Sequence, residues 1–82
     1  MYRIAFTNTA HTQLGKLERD TASRIADALE RIRVRPKRFC TRLVGSPYYR
    51  LRVGDYRVIV DIYEGELIVL VIEVVHRSTA YR

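Results

Sequence analysis

Tyr49-Arg50-Leu51-Arg52-Val53-Gly54-Asp55-Tyr56-Arg57 alternates basic with apolar or aromatic residues on both sides of a Gly-Asp pair, the pattern of a two-residue β-hairpin. Closing the chain at Gly54 and Asp55 pairs Val53 with Tyr56 and Arg52 with Arg57, and leaves Arg50 on the same face two residues back. Like charges directly opposite on a sheet are destabilising. A chain that keeps Arg52 against Arg57 is therefore expected to hold them for an anionic partner, and nucleic-acid phosphate is the usual one. A single arginine on an outer sheet face reads as solvated surface or edge protection; the opposed pair tips the balance toward binding.

Outward from the hairpin, Tyr48 to Val53, Tyr56 to Tyr63 and Leu67 to Val75 are rich in β-branched and aromatic residues and are separated by Gly54-Asp55 and Glu64-Gly65-Glu66. They predict a three-stranded antiparallel meander. On the N-terminal side, Tyr2 to Phe6 predicts a short strand. Thr7 or Asn8 can cap a helix carrying Ala10, Leu14 and Leu17, and Asp20 can cap a second with Ala22, Ile25, Leu29 and Ile32, stopped by Pro36. Residues 35 to 47 predict a connecting loop or a ragged strand start. The expected fold is α+β: an N-terminal strand, a helical hairpin, then a meander packed on the helices.

Strict alternation places Leu51, Val53, Tyr56, Val58, Val60, Ile62, Ile68, Leu70, Ile72 and Val74 on the buried side, and Arg50, Arg52, Arg57, Asp61, Glu73 and, if the last strand runs on, Arg77 on the other. With a three-residue turn at Glu64-Gly65-Glu66, Ile62 faces Ile68 and Arg57 faces Glu73.

The 82 residues carry a formal charge of +6 and suffice for one domain, 1–82, one able to bury roughly 60% of its unfolded surface. From Arg31 to Arg57 the only acid is Asp55, whereas Val58 to Val75 holds four acids and no base, so the chain has a basic middle. Such charge suits nucleic acid, anionic lipid or an acidic protein. Arginine outnumbers lysine 13 to 2, which fits forked phosphate recognition and equally fits a compositional bias. Cys40 stands alone, which excludes a disulfide framework and a cysteine metal site and predicts an intracellular chain. The apolar run Leu67 to Val75 is too short to cross a bilayer as a helix and carries Glu73, and the N-terminal residues show no signal-peptide pattern, so export and membrane insertion are not expected. His11 has no second ligand at metal spacing.

The order of strand, helical hairpin, Tyr49-Arg50-Leu51-Arg52-Val53-Gly54-Asp55-Tyr56-Arg57, apolar strand and the ending Val75-His76-Arg77-Ser78-Thr79-Ala80-Tyr81-Arg82 resembles the RelE/ParE superfamily of toxins from toxin–antitoxin pairs. The resemblance spans essentially the whole chain. Its core is Arg-x-Gly-x-Tyr-Arg, and the closing His-Arg with a later Tyr resembles the RelE branch, whose members enter the ribosomal A site and cut messenger RNA there. This implies a RelE-like fold and a type II toxin that acts in the cytoplasm as an endoribonuclease. Its partners would be a RelB-like antitoxin, the ribosome and mRNA, with no cofactor, metal or membrane.

Carried over by position, the resemblance puts Arg50 and Arg52 where the branch has two functional basic residues, commonly lysines. It puts Arg57 and Arg77 at transition-state-stabilising arginines, and Tyr81 at a tyrosine that stacks on or orients the base. The other branch implies a ParE-type toxin that binds and inhibits DNA gyrase without being an enzyme; an inactive member that only binds its antitoxin is a third reading.

Arginine in place of lysine matters for proton transfer. A guanidinium holds its proton to above ~12 and would need roughly 7 kcal/mol to act as a base at neutral pH. Arg50 and Arg52 are therefore expected to stabilise an alkoxide and a phosphorane rather than accept a proton. For the base, the order of preference is no dedicated group, then Tyr81, then His76, because in an extended strand His76 and Arg77 point to opposite faces. Tyr48, Tyr49 and Tyr56 read first as sheet residues. The charges from Arg31 to Arg42 read either as a solvated helix end or as contacts to ribosomal RNA backbone.

Overall fold

In a computed structural model that describes residues 1–78, the chain forms β1 (Arg3–Phe6), α1 (Asn8–Gly15), α2 (Arg19–Ile32), a short α3 (Pro36–Phe39), β2 (Thr41–Arg42), β3 (Tyr49–Val53), β4 (Tyr56–Tyr63) and β5 (Ile68–His76). The α+β architecture and the β3–β4–β5 meander are as the sequence predicts. The meander is the centre of a five-stranded sheet ordered β1-β5-β4-β3-β2, in which β1 runs parallel to β5 and the other pairs are antiparallel. One sheet face buries Leu51, Val58, Val60, Val69, Val71 and Val74 against Ala10 of α1 and Ile25, Ala28, Leu29 and Ile32 of α2.

Thr7, not Asn8, caps α1, its hydroxyl accepting the Ala10 N–H at 3.1 Å. Asp20 lies inside the first turn of α2 rather than at its cap, which is Glu18 with no side-chain bond to the backbone. There an acid still complements the positive end of the helix dipole. Pro36 begins α3, a position where proline's missing N–H costs nothing. Residues 35 to 47 therefore contain a helical turn that the sequence did not predict and a two-residue edge strand, in keeping with the strand start expected as an alternative to a loop.

The alternation read from the sequence fails in the first half of β5. The β4–β5 turn has four residues, Glu64 to Leu67, and Leu67 adopts a left-handed φ of 55°. Ile62 therefore pairs with Val69 rather than Ile68, and Tyr63 with Ile68. That one-residue shift sends Val69 and Val71 into the core and Ile68 and Leu70 to the other side. The register shifts again between Ile59 and Val60, which pair with Glu73 and Val71 and leave Ile72 as the extra residue of a β-bulge. Parity is restored beyond it, so Val74 is buried as expected.

α1 supplies what β5 needs at this bulge. The Thr7 N–H donates to the Val71 carbonyl at 3.0 Å, and the Thr7 hydroxyl donates to the Ile72 carbonyl at 2.8 Å. The Val74 N–H donates to Gln13 Oε1 at 2.6 Å. These side chains take over the edge of β5 where β1 ends, so its backbone groups stay paired.

Cys40 is buried beside the core, and burial pushes its thiol up to about 11. Two predictions follow from this packing. Gln13→Ala leaves the Val74 N–H without its acceptor and should cost about 1–3 kcal/mol in urea unfolding; no change would mean the contact carries no stability. Because the thiolate is disfavoured in the native state, alkylation of Cys40 should be slow at pH 7.5, rise as pH approaches about 11, and become fast at pH 7.5 only on denaturation.

Candidate functional site

The hairpin closes as predicted, with Val53 opposite Tyr56, Arg52 opposite Arg57 and Arg50 opposite Ile59. Gly54 has φ 58° while Asp55 does not enter the positive-φ region, as in a type II′ turn, where glycine comes first and a side chain follows. Register thus carries Arg50, Arg52 and Arg57 onto the face turned away from the helices. Arg52 is exposed, and Arg50 and Arg57 are half-buried. Thr41 of β2 flanks Arg50 on the far side.

Arg57 does not face Glu73. It pairs with Val75, and Glu73 pairs with Ile59 two residues along, because the longer turn and the bulge together displace β5 by two residues from the simple hairpin register. Glu73 remains exposed on the arginine face as a diagonal neighbour. Ile59, Leu70 and Val75 share that face and are half-buried. They form an apolar floor, and of the three only Leu70 is assigned to the other side of the sheet by strict alternation.

Arg77 lies one residue beyond β5. Its N–H donates to the Asp55 carbonyl at 2.8 Å, and its Nε stands 3.8 Å from Asp55 Oδ1. The turn residue of the hairpin therefore anchors the segment that carries the fourth arginine, placing Arg77 at the turn end of the same sheet. Both side chains are largely exposed, so the ion pair orients more than it stabilises. Asp55 was read only as a turn residue; being the sole acid of the basic middle is the signal that marks it. Tyr81, the fifth expected site residue, lies outside the described residues.

His76 is opposite Tyr56 on the helix-facing side, as expected from its alternation with Arg77. Its ring meets Tyr56 edge-on at 5.2 Å, and Nδ1 is 2.8 Å from Ser78 Oγ. Several charges of the basic middle hold structure. The Arg33 Nε donates to the Tyr2 carbonyl at 2.8 Å, and its guanidinium meets Glu30 at 2.9 Å. Lys37 binds Glu64 at 2.7 Å, a hydrogen bond that holds its proton above the usual lysine range. Lys37 and Arg42 both lie over the Tyr49 ring, at 5.8 and 6.0 Å. No cluster of three metal-ligating side chains occurs among the described residues. No helix there is long and apolar enough to cross a membrane.

A face of forked cations on an apolar floor can grip phosphate oxygens and stabilise charge that develops on them. Comparison with known proteins places the chain in a group. The family described as ParE toxin of type II toxin-antitoxin system, parDE, matches residues 4–81. Comparison with curated proteins by sequence gives no match. Among solved structures, the chain is similar to a chain of the toxin–antitoxin complex RelBE2 from Mycobacterium tuberculosis, at 26% identity and TM-score 0.82, covering 93% of this chain and 98% of that one. It is similar in fold to a chain of the intact Escherichia coli RelBE complex, at 22% identity and TM-score 0.80 over 90% and 94% of the two chains. The archaeal RelE–RelB complex from Pyrococcus horikoshii gives 23%, 0.78, 93% and 94%.

Proposed function

The chain belongs to the ParE toxin family of type II toxin–antitoxin systems, within the RelE/ParE superfamily and with the fold of its RelE-like branch, and from that RelE-like fold together with the arginine face we propose that it is a ribosome-dependent endoribonuclease that cuts mRNA in the A site. The observation that carries this reading is the assembly of Arg50, Arg52 and Arg57 on one outer face, with Arg77 held at its turn end by Asp55. In the proposed reaction the 2′-hydroxyl of the bound nucleotide attacks the adjacent phosphate. Arg57 and Arg77 stabilise the phosphorane, Arg50 and Arg52 the attacking alkoxide, and Tyr81 orients the base. The ribosome supplies substrate orientation, so a site without a strong proton acceptor suffices.

The whole chain, 1–82, acts as a single toxin domain in the cytoplasm, needing no cofactor. A RelB-like antitoxin, as in the complexes it resembles, holds it inactive by covering or disturbing the arginine face.

The match to a family described as ParE toxins favours a second reading, a non-enzymatic toxin that binds and inhibits DNA gyrase. Programmed ribosomes separate the two. Primer extension should find cuts inside the A-site codon only when ribosomes are present; intact mRNA together with blocked gyrase supercoiling would select the gyrase reading. Arg57→Ala and Arg77→Ala should each slow cutting by about 10²–10³-fold, the usual loss for one oxyanion-stabilising donor, with unchanged circular dichroism. Unaltered cutting by both would place the site elsewhere. If the isolated protein engages about four phosphates of single-stranded RNA, the logarithm of its affinity should fall with log salt at a slope near −3.

A further inference from the structure

β2 pairs only with Tyr49 and Arg50, so the Leu51 to Val53 edge of β3 has no strand beside it among the described residues. α2 runs past this edge, and the two enclose adjoining hollows. The one nearer the hairpin turn, about 280 Å³, is bordered by Arg24, Asp27, Arg31, Arg52 and Gly54. Its neighbour, about 270 Å³, is lined by Ala28, Ile32, Phe39 and Leu51 together with Arg31 and Arg52. Arg31 and Arg52 thus stand at the junction of a basic hollow and an apolar one.

The basic hollow is built by spacing. Arg24 and Arg31 are seven residues apart on α2, close to two turns, and so lie on one stripe. The Arg24 guanidinium reaches over the hairpin, where a Cβ on Gly54 would sit 3.6 Å from its nearest nitrogen. None of Arg24, Arg31 and Arg52 has a carboxylate within 4 Å among the described residues, Asp27 included. Phe39, at the apolar end, is 56% exposed, although it lies beside buried Cys40.

We propose that the two hollows form one nucleotide site for single-stranded RNA, with a backbone phosphate between Arg24, Arg31 and Arg52 and its base against Phe39. Guanidinium groups following the backbone and an aromatic ring taking a base are the two elements of single-strand recognition. Arg52 belongs both to this cleft and to the sheet face. A strand bound on that face therefore reaches the cleft by crossing the β3 edge, and that continuity favours RNA over an acidic peptide. The inference rests on the reading of the sheet face as an RNA-cleaving surface and adds the place where the flanking nucleotide is held.

Fluorescence anisotropy of a labelled, short single-stranded RNA carrying 2′-deoxy substitutions that block cleavage, followed over a salt series, tests it. Arg24→Ala and Arg31→Ala should each lower the log-log salt slope, the double variant by about 0.7, and Arg24→Lys should keep the parent slope. Phe39→Ala should weaken binding roughly 5- to 150-fold with the slope unchanged. All three side chains are exposed, and circular dichroism checks the fold of each variant. If these variants bind as the parent does while Arg57→Ala fails to bind, the cleft proposal falls and the sheet-face reading stands. Loss of antitoxin binding with RNA binding intact would make the cleft a peptide groove and overturn the proposal. If neither the parent nor Arg57→Ala shows salt-dependent RNA binding, the RNA reading of the face falls with it.

Discussion

The two-residue turn at Gly54-Asp55 is the constraint from which the functional surface derives. Because Gly54 takes the left-handed conformation, β4 returns along β3 in the register that sets Arg52 against Arg57. A turn longer by one residue would send one strand's arginines to the side that packs on the helices. The turn also reaches the C-terminal end of β5, since the Asp55 carbonyl receives the Arg77 N–H. One short loop therefore fixes the pairing of two arginines, the side on which they stand, and the arrival of a fourth.

Local chemistry made much of this legible in the sequence. Glycine and aspartate between alternating strands define a hairpin whose register has only one sensible solution, and β-branched runs bounded by turn residues define the strands to within a residue. β5 was harder because its turn and its bulge are tertiary products. Leu67 in a left-handed conformation is not a residue that pattern reading would choose for a turn, and the run Ile68-Val69-Leu70-Val71-Ile72-Glu73-Val74-Val75 is apolar on both parities. Such a run gives alternation nothing to act on. The partners that decide it, Thr7 and Gln13, lie some sixty residues away. The parallel pairing of β1 with β5 was likewise invisible locally, because it depends on where two helices return the chain.

The charge pattern divides in a way that sequence alone could not show. Among the basic residues between Arg31 and Arg42, Arg33, Lys37 and Arg42 are engaged with Tyr2, Glu30, Glu64 and Tyr49, tying the N-terminus, the β4–β5 turn and the edge strand together. Around the hairpin, Arg77 meets Asp55, while Arg24, Arg31 and Arg52 have no carboxylate within 4 Å among the described residues. Positive charge thus performs two tasks in different places, clamping the scaffold around α3 and facing outward around the hairpin. The half-buried Ile59, Leu70 and Val75 beneath the outward arginines lower the local dielectric, which strengthens any phosphate contact made above them.

The sealing of β5 by α1 bears on how the molecule meets other copies of itself. A sheet exposes unpaired backbone along its edges, and among the described residues those are β1, four residues long, β2, only two, and the Leu51 to Val53 stretch of β3 that β2 does not reach. Beyond β1 the next strand inward would become a template for intermolecular pairing, but the Thr7 hydroxyl and the Gln13 carboxamide already occupy the Ile72 carbonyl and the Val74 N–H. Side chains that correct a register thereby also remove a stretch of β5 from the backbone available for sheet-to-sheet aggregation. A protein with half its sheet left uncovered by helices can in this way keep to itself without burying that face.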